Sequence, residues 1–487
     1  MSGGELIMAA LAIPLMGAIG IALCHRRPDL RETATLATSA LLFVCVASLL
    51  SGVMAGERPQ VRLLEPLPGL PVAFLVEPLG MLFALVASAL WMVNSIYSIG
   101  YMRANKEANQ TRFYVCFALA LAATIGIAFA ANLITLFLFY EILTLVTFPL
   151  VAHHGTEEAK RGGRVYLALL LGTSVLFLLP AIVFTWHVAG TTDFRPGGIL
   201  PAQLAPAALT VLLALYMFGI GKAALMPFHR WLPAAMVAPT PVSALLHAVA
   251  VVKAGVFSVL KVIIYVFGLD QLAGTTGWLI GISGFTILAA SVVALNADNL
   301  KRRLAYSTIS QLSYVVMAAA LLTPLSVLGA ALHLVVHAFG KITLFLAAGA
   351  IYTAAHKTEV SQLNGIGRRM PWTMTAFTLA ALSLIGIPPA AGFISKWFIV
   401  SSALESGQFF VLAVMIASTL LNAAYFLPIV HAAFFRKPDD GDESHVHGEA
   451  PWPMVLALML SAGATIVLFF LSDPLLRLAR QLVPIGS

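Results

Sequence analysis

Long uninterrupted apolar segments constrain this chain more than any other feature of its sequence. Segments such as Leu41–Met54 and Leu133–Val151 lack the alternating pattern that strands of a membrane barrel show over about ten residues. Helices are therefore the structure that can satisfy the backbone inside a bilayer. Only 10% of the 487 residues are charged and 60% are hydrophobic, whereas about a quarter are charged in soluble domains. This composition predicts a polytopic membrane protein and excludes a soluble globular protein, a disordered chain and a nucleic-acid-binding domain.

Breaks in the apolar pattern and clusters of charge predict an all-α fold with about 14 transmembrane helices of ordinary length. The predicted spans lie near residues 5–24, 33–54, 77–101, 112–131, 133–153, 164–189, 207–228, 241–267, 274–296, 303–322, 325–354, 372–403, 408–435 and 452–473. Loops after odd-numbered spans hold 18 lysines and arginines, whereas the other loops and the tails hold five. Because cytoplasmic loops are enriched in these residues, we predict that both termini lie on the non-cytoplasmic side.

Charged residues inside the predicted spans are candidates for function. The lysines concerned are Lys222, Lys253, Lys261, Lys341 and Lys396. Glu141 lies in the middle of the fifth span, where a structural hydrogen bond to a neighbouring helix is the alternative. An intramembrane charge costs at least about 2.5 kcal/mol and by default marks an ion pathway. A nearby carboxylate changes how strongly a buried lysine holds its proton. Lys261 is close to the end of its span, so we expect it to snorkel toward the headgroups.

Histidines extend this set of candidate proton carriers. His333, His337 and Lys341 follow one another at intervals of four residues, so on a helix they form one stripe about 12 Å long. Histidine passes protons readily because it titrates near neutral pH. His247 lies six residues before Lys253, on a different helix face, so the two share a path only through neighbours or a local distortion. A zinc site at the histidine pair lacks further ligands nearby, and we predict no metal there.

Two predicted spans contain proline beside a buried lysine. Pro227 lies five residues after Lys222, and Pro388 and Pro389 lie eight and seven residues before Lys396. Proline removes a backbone donor and clashes with the preceding turn, so each span is expected to kink or unwind there. Broken helices at corresponding places in two halves indicate a transporter built from repeats.

Counting the spans suggests how these repeats are arranged. Spans 4–8 and 9–13 form two sets of five, each with its break in the fourth member. Because five is odd, the second set inserts upside down relative to the first. The predicted divisions are three N-terminal helices, two inverted repeats, and a cytoplasmic loop with the last helix, at residues 1–111, 112–267, 268–435 and 436–487.

Four stretches of sequence carry a specific resemblance. They are GKAALMPFHRWLPAAMVAPTPVSALLHAVAVVKAGVF at 221–257, FYEILTL around Glu141, HLVVHAFGKITLF at 333–345 and GIPPAAGFISKWF at 386–398. Together they resemble the antiporter-like family shared by respiratory complex I, Mrp-type multisubunit cation/proton antiporters and membrane-bound hydrogenases. The resemblance covers roughly spans two to thirteen, and its first stretch is too long to be a short chance motif.

The resemblance implies roles for the buried charges. In that family the glutamate of span five pairs with the lysine of span seven, the residue of span eight relays protons, and the residue of the broken span twelve is the outer terminal. Carried over, the proton-transfer roles fall on Glu141, Lys222, Lys253 and Lys396. The connecting polar axis then holds His247, His333, His337 and Lys341.

Two features indicate which member of the family this chain resembles. Lys396 takes the place of a glutamate, which disfavours the middle antiporter-like subunit of complex I. The sequence ends about 14 residues after the last predicted span, which leaves no room for the lateral helix of the distal complex I subunit. Size and Lys396 resemble the D-type Mrp subunit best. A subunit of a membrane-bound hydrogenase or of a complex-I-like assembly is the alternative, and a non-transporting scaffold is an alternative of another class.

Other features point to chemistry supplied by partners. Cys24, Cys45 and Cys116 show no spacing for haem or an iron–sulfur site, and no phosphate-binding loop is present. We therefore expect no cofactor in this chain and other membrane subunits as partners, in a bacterial inner membrane. Protons are the expected transported ion, joined by sodium if the complex is an antiporter. His445 and His447 lie among acids in a predicted cytoplasmic loop, for which a divalent metal site is the alternative interpretation.

Overall fold

The computed structural model describes residues 2–438 and 448–483. Within this part of the chain the fold is mostly helical, as predicted. The first segment holds α1 (Gly3–Leu23), α2 (Pro28–Ser48), α3 (Leu50–Met54), β1 (Gln60–Leu67), β2 (Leu70–Leu75) and α4 (Pro78–Ala104). The two strands form an antiparallel hairpin between the second and third predicted spans, with Gln60 opposite Leu75. The backbone of β2 bonds to the residue that ends the helix Gln110–Ala128, since Leu75 N donates to Phe129 O over 2.7 Å.

The middle of the chain contains most of the irregular helix. Its α-helices are α5 (Gln110–Ala128), α6 (Leu133–Val151), α7 (Glu157–Thr173), α8 (Leu179–Ala189), α9 (Pro206–Gly219), α10 (Trp231–Ala234), α11 (Thr240–Ala244) and α12 (Val251–Lys261). Three π-helical turns interrupt or extend them, at Ser174–Leu178, Leu245–Val249 and Val262–Phe267. Two short 3₁₀ turns, Gly221–Ala223 and Ala235–Val237, lie within the irregular segments that follow α9. Such turns commonly mark functional positions in a helix.

The last part of the chain returns to long helices. They are α13 (Gly277–Asn296), α14 (Leu300–Ala320), α15 (Pro324–Ala355), α16 (Ile366–Arg369), α17 (Pro371–Ile385), α18 (Gly392–Glu405), α19 (Phe409–Phe435), α20 (Trp452–Phe470) and α21 (Asp473–Arg480). A 3₁₀ turn at Val360–Gln362 precedes α16. The second predicted break lies between α17 and α18, over residues 386–391.

Eleven helical segments among the described residues are long and apolar enough to cross a membrane. Three predicted spans are not among them. The spans near 207–228 and 372–403 are divided by their breaks, which leaves α9 and α17 as shorter apolar helices. The helix α14 is long enough but more polar. The polytopic helical class is therefore confirmed, whereas the number of fourteen spans stays a prediction.

The helices that carry most of the predicted site lie in the core of the molecule. Residues 240–267 are buried without exception, and α15 is buried from Ser326 to Ile351 apart from the partly exposed Phe339. The helices α1 and α20, by contrast, are only one-third buried over their apolar windows. Side chains on α12 and α15 consequently face other helices, and a charged group there must find its partner inside the protein.

Candidate functional site

The first break surrounds Lys222. The helix α9 ends at Gly219, a 3₁₀ turn follows, and the chain resumes helical structure only at Trp231, as Pro227 predicted. Lys222 is fully buried, and its ammonium donates to the carbonyl oxygen of Tyr140 over 2.8 Å and to Thr144 Oγ1 over 2.5 Å. The same ammonium lies 3.2 Å from the centre of the Tyr140 ring. Hydrogen bonds and a cation–π contact thus replace the water that this cation has lost.

A glycine allows the break to approach its neighbour closely. A Cβ on Gly255 of α12 would lie 2.3 Å from the carbonyl carbon of Lys222 and 2.6 Å from its carbonyl oxygen. No side chain fits there unless the backbone moves. The position of the lysine therefore depends on direct contact between the unwound segment and α12, two residues after Lys253.

Glu141 follows Tyr140 on α6, and both of its carboxylate oxygens are buried. The resemblance implied that Glu141 pairs with Lys222. In the described residues no lysine or arginine nitrogen lies within 4.0 Å of this carboxylate, and Lys222 is bonded to the residue before it. The two charges are therefore neighbours through Tyr140 without a direct ion pair.

The second break surrounds Lys396. The helix α17 ends at Ile385, Gly386 follows with a φ of +93°, and α18 begins after the prolines. Lys396 donates to the carbonyl oxygen of Ile385 over 2.9 Å, so the lysine satisfies one of the acceptors that the end of α17 leaves unpaired. Its side chain passes over Gly386, where a Cβ would lie 2.8 Å from Lys396 Cδ. The broken helix and the buried lysine thus stabilise each other.

A line of polar side chains joins α12 to the second break. Lys253 Nζ lies 2.5 Å from Nδ1 of His337, and the rings of His337 and His333 lie 5.7 Å apart. His333 Nδ1 is 2.9 Å from Ser395 Oγ, and Ser395 directly precedes Lys396. We call this set the polar row; its members are Lys253, His337, His333, Ser395 and Lys396. Sequence reasoning found four of the five and missed Ser395, whose only signal was its place beside Lys396.

Tyr314 of α14 lies beside the outer end of the polar row. Its ring centre is 5.5 Å from that of His333 and 5.2 Å from Lys396 Nζ. Its hydroxyl donates to Ser418 Oγ over 2.7 Å. The Tyr314 ring therefore lies beside both His333, which bonds to Ser395, and Lys396.

His247 and Lys341 lie next to the polar row and bond to α14 instead. Lys341 Nζ donates to Ser307 Oγ over 2.8 Å and to Leu304 O over 3.1 Å. His247 Nδ1 lies 3.2 Å from Thr308 Oγ1. The predicted stripe on α15 therefore divides, since its histidines continue the polar row while its lysine points to another helix. The π-helical turn that holds His247 is the kind of local distortion that its spacing from Lys253 required.

The expectation that Lys261 snorkels is wrong. Its side chain is completely buried and forms an ion pair with Glu77, at the start of α4. The rings of Phe194 and Tyr265 lie 4.4 and 5.0 Å from its ammonium. An acid and two aromatic rings thus keep the lysine inside the protein, so it has no need to reach the headgroups.

The part of the chain that the structure describes contains no group of three or more histidine, cysteine or acidic side chains arranged to hold a metal ion. His445 and His447 lie outside the described residues. The arrangement that remains is a set of buried lysines and histidines, at two helix breaks and between them, in a polytopic helical membrane protein. Such a set can accept, hold and release protons.

Comparison with known proteins shows which family has this sequence and architecture. The family described as "NADH:quinone oxidoreductase/Mrp antiporter, TM" matches residues 130–422. NADH-quinone oxidoreductase subunit N of Desulforudis audaxviator is 31% identical over 87% of this chain and 85% of its own length. The D-type Na⁺/H⁺ antiporter subunit of Alkalihalophilus pseudofirmus is 27% identical over 77% of this chain and 76% of its own length.

A solved structure has the same fold. One chain of the Mrp complex from a Dietzia species superimposes with a TM-score of 0.86 at 21% identity, over 98% of this chain and 96% of that chain. The protein is therefore an antiporter-like membrane subunit. It belongs to the NADH:quinone oxidoreductase/Mrp antiporter family, which the motifs around Glu141, Lys222, His333 and Lys396 indicated.

Proposed function

We propose that this chain translocates protons as one subunit of a multisubunit membrane complex. The observation that carries the proposal is the polar row, in which Lys253, two histidines and Ser395 lead to Lys396 through the buried core. Burial of several charges costs several kcal/mol each unless partners compensate, so a row of them is difficult to explain by stability alone. Histidine and lysine together supply groups that exchange protons.

In this mechanism a proton reaches Lys222 from the cytoplasmic side, passes through Lys253 and His337 to His333, and leaves by Lys396. Glu141 gates the first step, because a change in its distance from Lys222 alters how strongly that lysine holds its proton. Lys222 is bonded to Tyr140, the residue before Glu141 on α6, so a rotation of α6 would change that distance. His247 and Lys341 support the path, and their hydrogen bonds to α14 hold them beside it.

For the complex, we propose an Mrp-type Na⁺/H⁺ antiporter, with this chain as its D-type component. Two observations support the assignment: the second break holds a lysine, and a D-type Na⁺/H⁺ antiporter subunit aligns with 77% of this chain. The higher identity to an NADH-quinone oxidoreductase subunit N supports the second candidate, a proton-pumping subunit of a complex-I-like oxidoreductase or a membrane-bound hydrogenase. In either case the partners are other membrane subunits and any redox centre belongs to them.

The proposed setting is a bacterial inner membrane with both termini outside the cytoplasm. The two breaks, at 220–230 and 386–391, support two inverted five-helix repeats over 112–267 and 268–435, preceded by three helices and followed by a cytoplasmic loop and a last helix. Cysteine accessibility at the ends of α1 and α20, measured in intact cells, tests this orientation.

Proton flux through the purified whole complex in liposomes tests the function. We expect Lys222→Met and Lys253→Met each to reduce flux at least about a hundredfold, because each removes a proton-transfer group. Lys160→Met is the matched control, since Lys160 is exposed on α7 and forms a surface ion pair with Glu157 over 2.8 Å. Full flux in Lys253→Met would disprove the carrier function. Loss of assembly without any transport-specific defect would favour the scaffold.

The same preparation distinguishes the two candidate complexes. A sodium gradient should drive proton movement without any electron donor if the complex is an Mrp-type antiporter. Proton movement that requires quinone or another redox substrate would favour the complex-I-like alternative.

A further inference from the structure

A cavity opens at the end of the bundle that carries most of the arginines and lysines. Its volume is about 230 Å³, and its polar lining includes Glu107, His154, Lys301, Tyr101 and Tyr352. These residues come from the α4–α5 loop, the turn after α6, the start of α14 and the ends of two core helices. Positive loops place this end on the cytoplasmic side. None of these residues belongs to the polar row.

His154 has a hydrogen-bond acceptor at each ring nitrogen. Its Nδ1 lies 3.2 Å from the carbonyl oxygen of Val237, and its Nε2 lies 3.3 Å from Glu107 Oε1. A neutral imidazole carries one N–H and can satisfy only one of them, whereas the protonated ring donates to both. The pair of His154 and Glu107 is therefore built to hold a proton between a ring nitrogen and a carboxylate.

Four other titratable or charged side chains, besides Glu107, lie around His154 or line the same cavity. His153 Nε2 lies 3.9 Å from Glu107 Oε2, and Arg112 donates to the carbonyl oxygen of His153 over 3.0 Å. Lys301 Nζ donates to Ala238 O over 2.7 Å, and Lys357 also lines the cavity. The hydrogen bond to Glu107 raises the pKa of His154 above its ordinary value. The imidazole thus binds protons more readily than a free histidine does.

Two helices lead inward from this cavity to the same side chain. Thr240 lies in the cavity wall and begins the segment in which His247 follows seven residues later. Lys301 lies in the wall on α14, and Thr308 follows seven residues later. On α14, seven residues are about two helical turns, or roughly 10 Å, on one face. The two paths meet, because His247 Nδ1 and Thr308 Oγ1 are 3.2 Å apart.

From this meeting point the polar row is close. Ser307, which precedes Thr308, accepts from Lys341 over 2.8 Å. Lys341 lies one helical turn after His337 on α15, and His337 contacts Lys253. His247 and Lys341, which lie beside the polar row, thus have a position that fits a connection between the cavity and the row.

We propose that this cavity is a proton-collecting mouth, where Glu107 and His154 take a proton from cytoplasmic water and deliver it to His247 by way of Lys301 and Thr308. The proposal rests on the proposed function and adds a second uptake site, distinct from Lys222. In the uptake step an N–H bond forms on His154 as an O–H bond of a hydrated proton breaks. The same proton then leaves inward, so the imidazole returns to its starting form.

The test uses the whole complex in liposomes, with flux measured between about pH 6 and about pH 8.5, where histidine titrates. We expect His154→Gln and Glu107→Gln each to lower flux about fivefold or more at the alkaline end, where free protons are scarce, and much less at the acidic end. Imidazole added on the cytoplasmic side should restore flux, because a mobile carrier replaces the fixed one. The control is His25→Gln, since His25 lies in the turn after α1. This turn is at the same end of the bundle as the end of α4, because Arg103 of α4 forms an ion pair with Asp29 of α2 over 2.5 Å.

Unchanged flux at all pH values, or a loss that imidazole does not restore, would overturn the proposal. If His154→Gln does not assemble, Thr308→Val tests the proposal instead. This variant keeps the shape of the side chain and removes the contact to His247. Normal flux at alkaline pH in Thr308→Val overturns the proposal as well. Lys253→Met separates this result from the proposed function. If flux is lost in Lys253→Met but normal in the His154 and Glu107 variants, only the proposal of the mouth is wrong. If flux is retained in Lys253→Met, the proposed proton-carrier function itself is wrong.

Discussion

Lys253 and His337 share one hydrogen bond across the interface of α12 and α15, with Nζ and Nδ1 2.5 Å apart. Both side chains are almost completely buried. Two positive charges at this distance would repel each other strongly in a medium of low dielectric constant. At most one of the two groups therefore carries a positive charge. A proton in their shared hydrogen bond can move to either side without a large rearrangement.

This contact predicts a separation between stability and transport at His337. His337→Gln keeps an acceptor for Lys253 but cannot carry a proton, so we expect normal assembly and about a hundredfold lower flux. His337→Ala should lose flux equally and assembly in part, since it leaves the lysine without its acceptor. Flux in liposomes and the yield of intact complex measure the two effects. Wild-type flux in His337→Gln would show that Lys253 passes protons by another route.

The ion pair of Glu77 and Lys261 predicts a loss of stability that a second substitution restores. Glu77→Gln leaves a buried ammonium without its counter-charge, which costs about 3–5 kcal/mol. We expect a clear fall in the thermal midpoint of the purified complex. The double variant of Glu77→Gln with Lys261→Met removes both charges and should recover most of the loss. Additive losses in the double variant would contradict this account of the pair.

Gly255 predicts that a single methyl group disturbs the first break. Gly255→Ala places its Cβ against the backbone of Lys222, so we expect about 1–3 kcal/mol of destabilisation from overpacking and reduced proton flux. The matched control is Gly281→Ala on α13, where a Cβ meets nothing within 4 Å. That control should be neutral or slightly stabilising, since alanine favours helix. Equal behaviour of the two variants in thermal melting would contradict the close contact.

His154 predicts a pH-dependent stability difference with a definite sign. Its pKa is raised in the folded chain by the hydrogen bond to Glu107, so the contribution of this contact is complete below the pKa of the unfolded chain, near 6.5. It decreases as the pH rises through the higher folded pKa. Because the side chain is 37% exposed, the effect is at most about 1 kcal/mol. The midpoint difference between wild type and His154→Gln, measured by thermal melting, should shrink from acidic to alkaline pH.

The sequence predicted those parts of the site that depend on local chemistry. Lysine in an apolar segment is recognisable by composition alone, and proline identifies a break without knowledge of the tertiary structure. Lys222, Lys253 and Lys396 were found in this way, and both breaks lie where proline predicted them. The helical class followed from the same patterns.

The parts that could not be predicted depend on contacts between distant segments. The partner of Lys253 lies 84 residues away, and Glu77 lies even farther from Lys261, so neither pairing has a local signal. The π-helical turn at Leu245–Val249 contains no proline or glycine, and tertiary packing overrides local preference there. The hairpin Gln60–Leu75 was missed because its first strand lacks a clear alternation of polar and apolar residues.

The depth of the polar row has an electrical consequence. Lys253 and His337 each lie near the middle of a long buried segment, Thr240–Phe267 and Pro324–Ala355. The step between them therefore runs mainly parallel to the plane of the bilayer. Moving one charge through the whole membrane costs about 2.3 kcal/mol per 100 mV, but movement within the plane crosses almost none of that voltage. In the proposed mechanism, this step is thus nearly insensitive to membrane potential. The work against the potential then falls on the steps that lead a proton into the row and out of it.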